Sequence, residues 1–197
     1  MGCIRPGASR MSKPFANTSF SLEGRTALVT GAAGLLGREH SIALAEAGAQ
    51  VVMTDKNAVE LESAALDVRE RTGAQIVAMP LDVTDAGAIK AVRRALEEQG
   101  ITVTRLVNNA AIDPKVKDVG GLGASDRLEN FDPLQWELEV RVGLTGAILC
   151  ASEFGPAMAR AGDGVILNIA SDLSVFSPDQ RLYRREGIAE EAQSVKP

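Results

Sequence analysis

From Gly24 onward the chain alternates short, continuous apolar runs with longer stretches of helical spacing, and this constrains its fold more than any other feature. Residues 26–29, 50–54, 75–79, 103–107 and 164–170 read as strands, and residues 35–47, 58–71, 85–99 and 133–160 as helices. Gly48, Gly73 and Gly100 follow the first three helical stretches, where a glycine can end a helix in the left-handed conformation. The strands do not alternate apolar with polar residues. A strand apolar throughout is buried on both faces, which requires a parallel sheet with helices above and below it. The expected fold is therefore α/β, a doubly wound parallel sheet in three α/β/α layers with about five strands. No internal repeat or low-complexity block interrupts the pattern.

Composition narrows the function classes. Of 197 residues, 21 are Lys or Arg and 26 Asp or Glu, a net charge of −5, which argues against nucleic-acid binding because phosphate backbones demand a basic face. No uninterrupted apolar run approaches the roughly 20 residues of a bilayer span, so no membrane partner is expected. Two cysteines, Cys3 and Cys150, give neither a disulfide framework nor a zinc spacing, and one histidine, His40, gives no multi-histidine site; no metal is expected. Residues 1–22 lack periodicity and read as a flexible tail, leaving 23–197 as one domain. The opening Met-Gly-Cys lacks the Ser or Thr at position 6 that myristoylation needs, since Pro6 stands there, and no signal-peptide core follows. A cytoplasmic protein is the expectation.

The first strand joins the first helix through Thr30-Gly31-Ala32-Ala33-Gly34-Leu35-Leu36-Gly37. Small residues let a pyrophosphate approach the free N–H groups of a helix N-terminus, where a Cβ would intervene. Asp55 lies at the end of the second strand, 18 residues after Gly37, where an acid accepting from a ribose 2′-hydroxyl belongs. Its carboxylate would repel a 2′-phosphate, so NAD is favoured over NADP. Arg38 and Lys56 are nearby cations that could offset this, although Arg38 reads better as part of a solvated helix face.

Four segments together resemble the short-chain dehydrogenase/reductase family: Thr30 to Gly37, Leu81-Asp82-Val83, Asn108-Asn109-Ala110-Ala111 and Asn168-Ile169-Ala170-Ser171. The resemblance implies a Rossmann-like NAD(P)-binding domain and an oxidoreductase acting on a small alcohol or ketone, with sugar or nucleotide-sugar substrates suggested by the subgroup. It implies cofactor contacts from Gly31, Ala33, Gly34, Leu36, Gly37, Asp55, Asp82, Val83, Asn109 and Ala110, and a catalytic role for Ser171 on the substrate oxygen. In this family a Tyr-x-x-x-Lys pair completes the site: the lysine lowers the phenol pKa and binds the ribose while the tyrosine passes a proton. A homo-oligomer is also implied for the full-length form.

The chain departs from the family pattern in three places. Leu35 stands where a glycine is commoner, and Gly143 heads the Gly143-Leu144-Thr145-Gly146 segment where the family often carries a relay asparagine. The single tyrosine, Tyr183, is followed four residues later by Gly187 rather than lysine, and a helix would not run through that glycine. The segment from Ser171 through Tyr183 resembles a subgroup with an inserted loop, in which a Val-Lys-Pro like Val195-Lys196-Pro197 precedes the catalytic tyrosine. On that reading the chain is a fragment ending before its Tyr and Lys, inactive alone, with the later strands missing and the fifth strand left as an apolar, association-prone edge.

Other candidates read as structural. Lys115 or Arg127, in the loop 113–131, could touch an anionic substrate but belong more readily to a solvated loop. Trp136 and Met158 read as packing, Cys150 as a small buried hydrophobe and His40 as a half-exposed structural residue. Two functions are compatible with these residues: an NAD(H)-dependent oxidoreductase, or a non-catalytic dinucleotide-binding module. A methyltransferase using the same glycine turn fits less well with the two Asn-rich segments.

Overall fold

The computed structural model describes residues 20–112, 128–190 and Gln193. Five strands, β1 (Thr26–Thr30), β2 (Gln50–Asp55), β3 (Ile76–Pro80), β4 (Arg105–Asn108) and β5 (Val165–Asn168), form one sheet in the order β3-β2-β1-β4-β5. Every pairing is parallel, with Leu28 beside both Val52 and Leu106, and Leu106 beside Ile166. This is the Rossmann-like α/β fold expected from the alternation of runs. Strand ends differ by a residue or two from the sequence reading, and Val103 packs in the core below β4 rather than within it.

The helices α1 (Leu35–Glu46), α2 (Ala58–Thr72) and α3 (Ala86–Glu98) connect the strands. Asn57 caps α2 by accepting from the N–H groups of Val59 and Glu60, and Asp85 caps α3 by accepting from Gly87 and Ala88. At the far end of α2, Gly73 (φ +69°) turns the chain out of the helix while its N–H bonds to the Arg69 carbonyl. Alternate residues of each strand feed two cores. Val29, Val51 and Met53 pack under α1 and α2, whereas Leu28, Val52 and Leu106 pack under α3 and the helix preceding β5. Leu28 and Met53 are fully buried, each contributing about 1.5–3 kcal/mol relative to exposure.

The helix preceding β5 is continuous over 29 residues, Pro133–Ala161, but not uniform. It comprises α4 (Pro133–Val140), a wider π turn (Arg141–Thr145) and α5 (Gly146–Ala161). By length and composition it is apolar enough to cross a membrane, although charged residues punctuate it and no uninterrupted apolar run within it approaches 20 residues. Its buried core side chains, Cys150, Phe154 and Met158, all lie in α5, with Val142 of the π turn packed partly against the same core. No residue of α4 is buried, and Trp136, expected to pack, is 53% exposed, with the tilted ring of Phe131 at 6.4 Å. The cause is geometric: α4 lies ahead of the part of the helix that reaches the sheet.

All four residues of β5 are exposed, including Val165, Ile166 and Leu167, and β5 is the sheet's edge. At the opposite end of the strands from the glycine turn, Asp163 accepts from Arg25 and, at 3.0 Å, from Arg105, fastening the α5–β5 connection to β1 and β4.

Candidate active site

The glycine turn is held in place by the strand beside it. The buried Thr30 hydroxyl accepts from the backbone N–H groups of Asn109 and Ala110, each at 3.0 Å, and donates to the Val107 carbonyl at 3.4 Å. The Asn109 side-chain amide donates to the carbonyls of Thr30 (2.9 Å) and Gly31 (3.1 Å). The carboxyl ends of β1 and β4 are thereby cross-linked through one hydroxyl and one amide. The sequence reading placed Thr30 at the head of the glycine turn but gave it no role, because its partners lie on a strand distant in sequence.

Two glycines are sterically required here. Gly31 has φ +63°, and a Cβ on it would lie 2.8 Å from Ala110 Cα. Gly37 is buried, and a Cβ there would lie 2.3 Å from the Gly31 carbonyl oxygen, 2.7 Å from Ala32 Cα and 2.9 Å from Asn109 Nδ2. At Gly34, the N-cap of α1, no side chain caps the helix, in contrast to α2 and α3, and no acid stands in its first turn. An uncapped N-terminus whose approach lacks side-chain bulk fits a pyrophosphate. Leu36 lies exposed in that first turn, and Ala33 donates its N–H to Asp55 Oδ2 at 3.2 Å.

Asp55 ends β2 beside this turn, and its other oxygen accepts from Asn57 N at 3.0 Å. Two bonds of this kind fix the carboxylate at the rim of the sheet. Asp82 follows β3, and Oδ1 accepts from the Thr84 N–H (2.8 Å) and hydroxyl (2.7 Å). These bonds, opposed by partial desolvation and helped by the positive charges of Lys56 and Arg141, hold its carboxyl below the usual aspartate value. The sign follows: what the bonds contribute to stability is present above the ordinary aspartate pKa and is lost as pH falls through the lowered one.

A cleft of about 430 Å³, open to solvent, lies over the carboxyl ends of these strands. It is lined by Gly31, Asp55, Asp82, Val83 and Ala110, all singled out in the sequence, and by Lys56, Leu81 and Val142. This is where ligands settle in open parallel sheets, outside the strand ends. Ala33, Gly34, Leu36 and Gly37 form the adjoining turn, and Asn109 braces it from behind.

Ser171 lies beyond this lining, exposed just after β5 on the same side of the sheet. Its Oγ accepts from Leu173 N (3.2 Å) and donates to Asp172 Oδ1 (3.1 Å). The ends of β4 and β5 are joined by Asn108, whose Nδ2 donates to Asn168 Oδ1 (2.8 Å) and to the Ala147 carbonyl (3.3 Å). Tyr183 closes a short 3-10 turn, Gln180–Tyr183; the chain leaves helical geometry already at Arg184, which is extended, and Gly187 (φ +76°) lies in the turn that follows. Beyond it, the buried Gln193 side chain bonds to the backbone of Arg185 and Ile188 and closes the loop.

Arg38 is a correction. It is half-buried rather than solvated, its guanidinium lying 3.7 Å from Asp67 and donating to the Ala33 carbonyl, because α2 packs against this side of α1. His40 is half-buried, as expected. Cys150 is fully buried, and burial pushes its thiol up to about 11, so it behaves as an inert hydrophobe. Among the described residues, no cluster of three or more His, Cys, Asp or Glu side chains is arranged to hold a metal ion. Lys115, Arg127 and the segment Val195-Lys196-Pro197 lie outside the described residues.

The chain is 31% identical over 163 residues to D-threitol dehydrogenase of Mycolicibacterium smegmatis, covering 83% of this chain and 58% of that protein. It is 36% identical over 152 residues to galactitol 2-dehydrogenase of Rhizobium johnstonii, covering 77% and 55%. A gluconate 5-dehydrogenase from Burkholderia cenocepacia, solved in complex with NADP and tartrate, superimposes with a TM-score of 0.69 at 30% identity, covering 81% of this chain and 58% of that one. The chain thus spans under three fifths of these proteins' length. The sequence model for short chain dehydrogenases matches residues 25–183, from just before β1 to Tyr183. With the glycine turn, its Asn109 brace and the strand-end Ser171 all falling inside that match, the chain belongs to the short-chain dehydrogenase/reductase family of oxidoreductases.

Proposed function

We propose that this chain is the dinucleotide-binding part of an NAD(H)-dependent dehydrogenase that acts on a secondary alcohol of a small polyhydroxylated molecule, a sugar alcohol or sugar derivative. The observation that carries this reading is the cleft itself: an uncapped helix N-terminus, a glycine turn that admits no Cβ, and a fixed carboxylate at the end of β2. Gly31, Gly34 and Gly37 would seat the pyrophosphate, Asp55 the adenosine ribose, and Asp82, Val83 and Ala110 the adenine side. Ser171 would hydrogen-bond the substrate oxygen. Bound nicotinamide would supply the hydride acceptor or donor. The proton would pass through a tyrosine and lysine contributed by the whole protein beyond these residues, so residues 1–197 alone would bind dinucleotide without turnover. The names of the threitol, galactitol and gluconate dehydrogenases support the substrate class.

The choice of NAD rests on Asp55. Removing its charge while keeping its shape, by Asp55→Asn, is expected to shift the ratio of NAD to NADP affinity toward NADP by about tenfold, the loss of one charge-assisted hydrogen bond together with one repulsion. Titration of both reduced dinucleotides by fluorescence checks it; an unchanged ratio would reject the assignment of Asp55. A second reading, a dinucleotide-binding module without chemistry, is favoured by Gly187 standing four residues after Tyr183. Dinucleotide binding by the whole protein with no polyol-dependent NADH formation would establish it.

The whole protein is also proposed to be a homo-oligomer. Leu134, Trp136, Leu138, Leu144 and Ile148 stand exposed along the 133–161 helix, apolar surface of the kind that marks association sites. Sedimentation should give a dimer or larger, and a monomer at tens of micromolar would refute it.

A further inference from the structure

We propose that Gly146 is a positioning residue for the dinucleotide: by admitting no side chain, it sets how closely the long helix approaches Val83 and so fixes the wall of the cleft. This inference rests on the dinucleotide reading of that cleft. Gly146 is the first residue of α5, directly after the π turn, and it is buried. A Cβ there would lie 2.7 Å from Val83 Cγ2, 3.0 Å from Val83 Cβ and 3.2 Å from the Val83 carbonyl oxygen. Rotating the valine relieves the first contact but not the other two, so either the segment 81–83 or the helix must move.

Both sides of that contact belong to the site. Leu81, Asp82 and Val83 line the cleft on one side and Val142, one turn before Gly146, lines it from the helix. The helix has little freedom to withdraw. Cys150, Phe154 and Met158 anchor it in the core, and the Ala147 carbonyl accepts from Asn108 at the end of β4. The strain therefore falls on the 81–83 segment, whose Leu81 N–H bonds to the Asp55 carbonyl at 2.9 Å. A displacement there reaches the end of β2 as well as the wall.

The same helix holds a control. A Cβ on Gly155 would meet only Ile166 Cδ1, at 3.5 Å, an ordinary contact. The test is NADH affinity of the full chain carrying Gly146→Ala or Gly155→Ala, each measured well below its own melting temperature. Gly146→Ala is expected to weaken NADH binding by about tenfold, within the range of coupling between contacting residues. Gly155→Ala should bind as the unsubstituted chain does. A lower melting temperature with unchanged NADH affinity in Gly146→Ala would make the residue merely structural and overturn the proposal, as would equal weakening in Gly155→Ala. Failure of the unsubstituted chain to bind NADH would overturn the dinucleotide reading and this inference with it, an outcome distinct from failure at the variants.

Discussion

Replacing Thr30 with valine is expected to destabilise the chain by about 2–5 kcal/mol and to weaken dinucleotide binding severely, although the two side chains are nearly the same shape. The hydroxyl satisfies two backbone donors, those of Asn109 and Ala110, and gives its own proton to Val107. Valine fills the space but leaves both N–H groups with nothing in their place, and each buried unsatisfied donor costs about 1–3 kcal/mol. Ala110 also lines the cleft, so releasing it loosens the wall as well as the fold. Thr30→Ser keeps the hydroxyl and loses one methyl, a cost of about 1 kcal/mol. Urea midpoints and NADH titration of the two variants side by side decide the matter. Equal losses in both would show that the methyl, not the hydroxyl, carries the effect.

Gly37→Ala sets two effects of opposite sign against each other. Within a helix, alanine is favoured over glycine by about 1 kcal/mol. At Gly37, however, the new Cβ meets backbone atoms of Gly31 and Ala32 that cannot rotate away. Overpacking against rigid backbone costs about 3 kcal/mol, so sterics win and the variant is destabilised, with the helix N-terminus pushed off the turn it must share with a phosphate. Gly143→Ala serves as the opposite case, because nothing lies within 4 Å of its Cβ position. There the propensity should prevail and the melting temperature should rise. A Gly37→Ala protein as stable as the unsubstituted chain would contradict the packing described.

What could be read from the sequence, and what could not, divides along a physical line. The sheet was legible because strands buried on both faces leave a one-dimensional signature, unbroken apolar runs such as Val51-Val52-Met53 within β2. The glycine turn and Asp55 were legible because their spacing is set by one strand, one turn and one helix. Thr30 was not, since its role depends on what lies beside it in space, 79 and 80 residues away along the chain. The π turn at Arg141–Thr145 also escaped, because the sequence over 133–160 keeps helical spacing and the widening occurs just where Gly146 closes on Val83. Trp136 misled for a related reason: an apolar helix face shows that something should cover it, not that this sheet does. Arg38 was misjudged because the position of α2 relative to α1 is a tertiary fact.

The two cores differ in how much chain each needs. The one beneath α1 and α2 draws all its buried residues from positions 27–76, apart from Val107. The one beneath α3 and α5 is spread from Leu28 to Met158. Contacts close in sequence cost less chain entropy to form and arise faster than distant ones. During synthesis, then, one side of the sheet can condense while most of the other is still inside the ribosome, and the nucleotide turn belongs to the side that closes first. Pulsed hydrogen exchange during refolding should find the amides of β1 and β2 protected ahead of those of β4, making the glycine turn an early landmark around which the later half of the molecule is assembled.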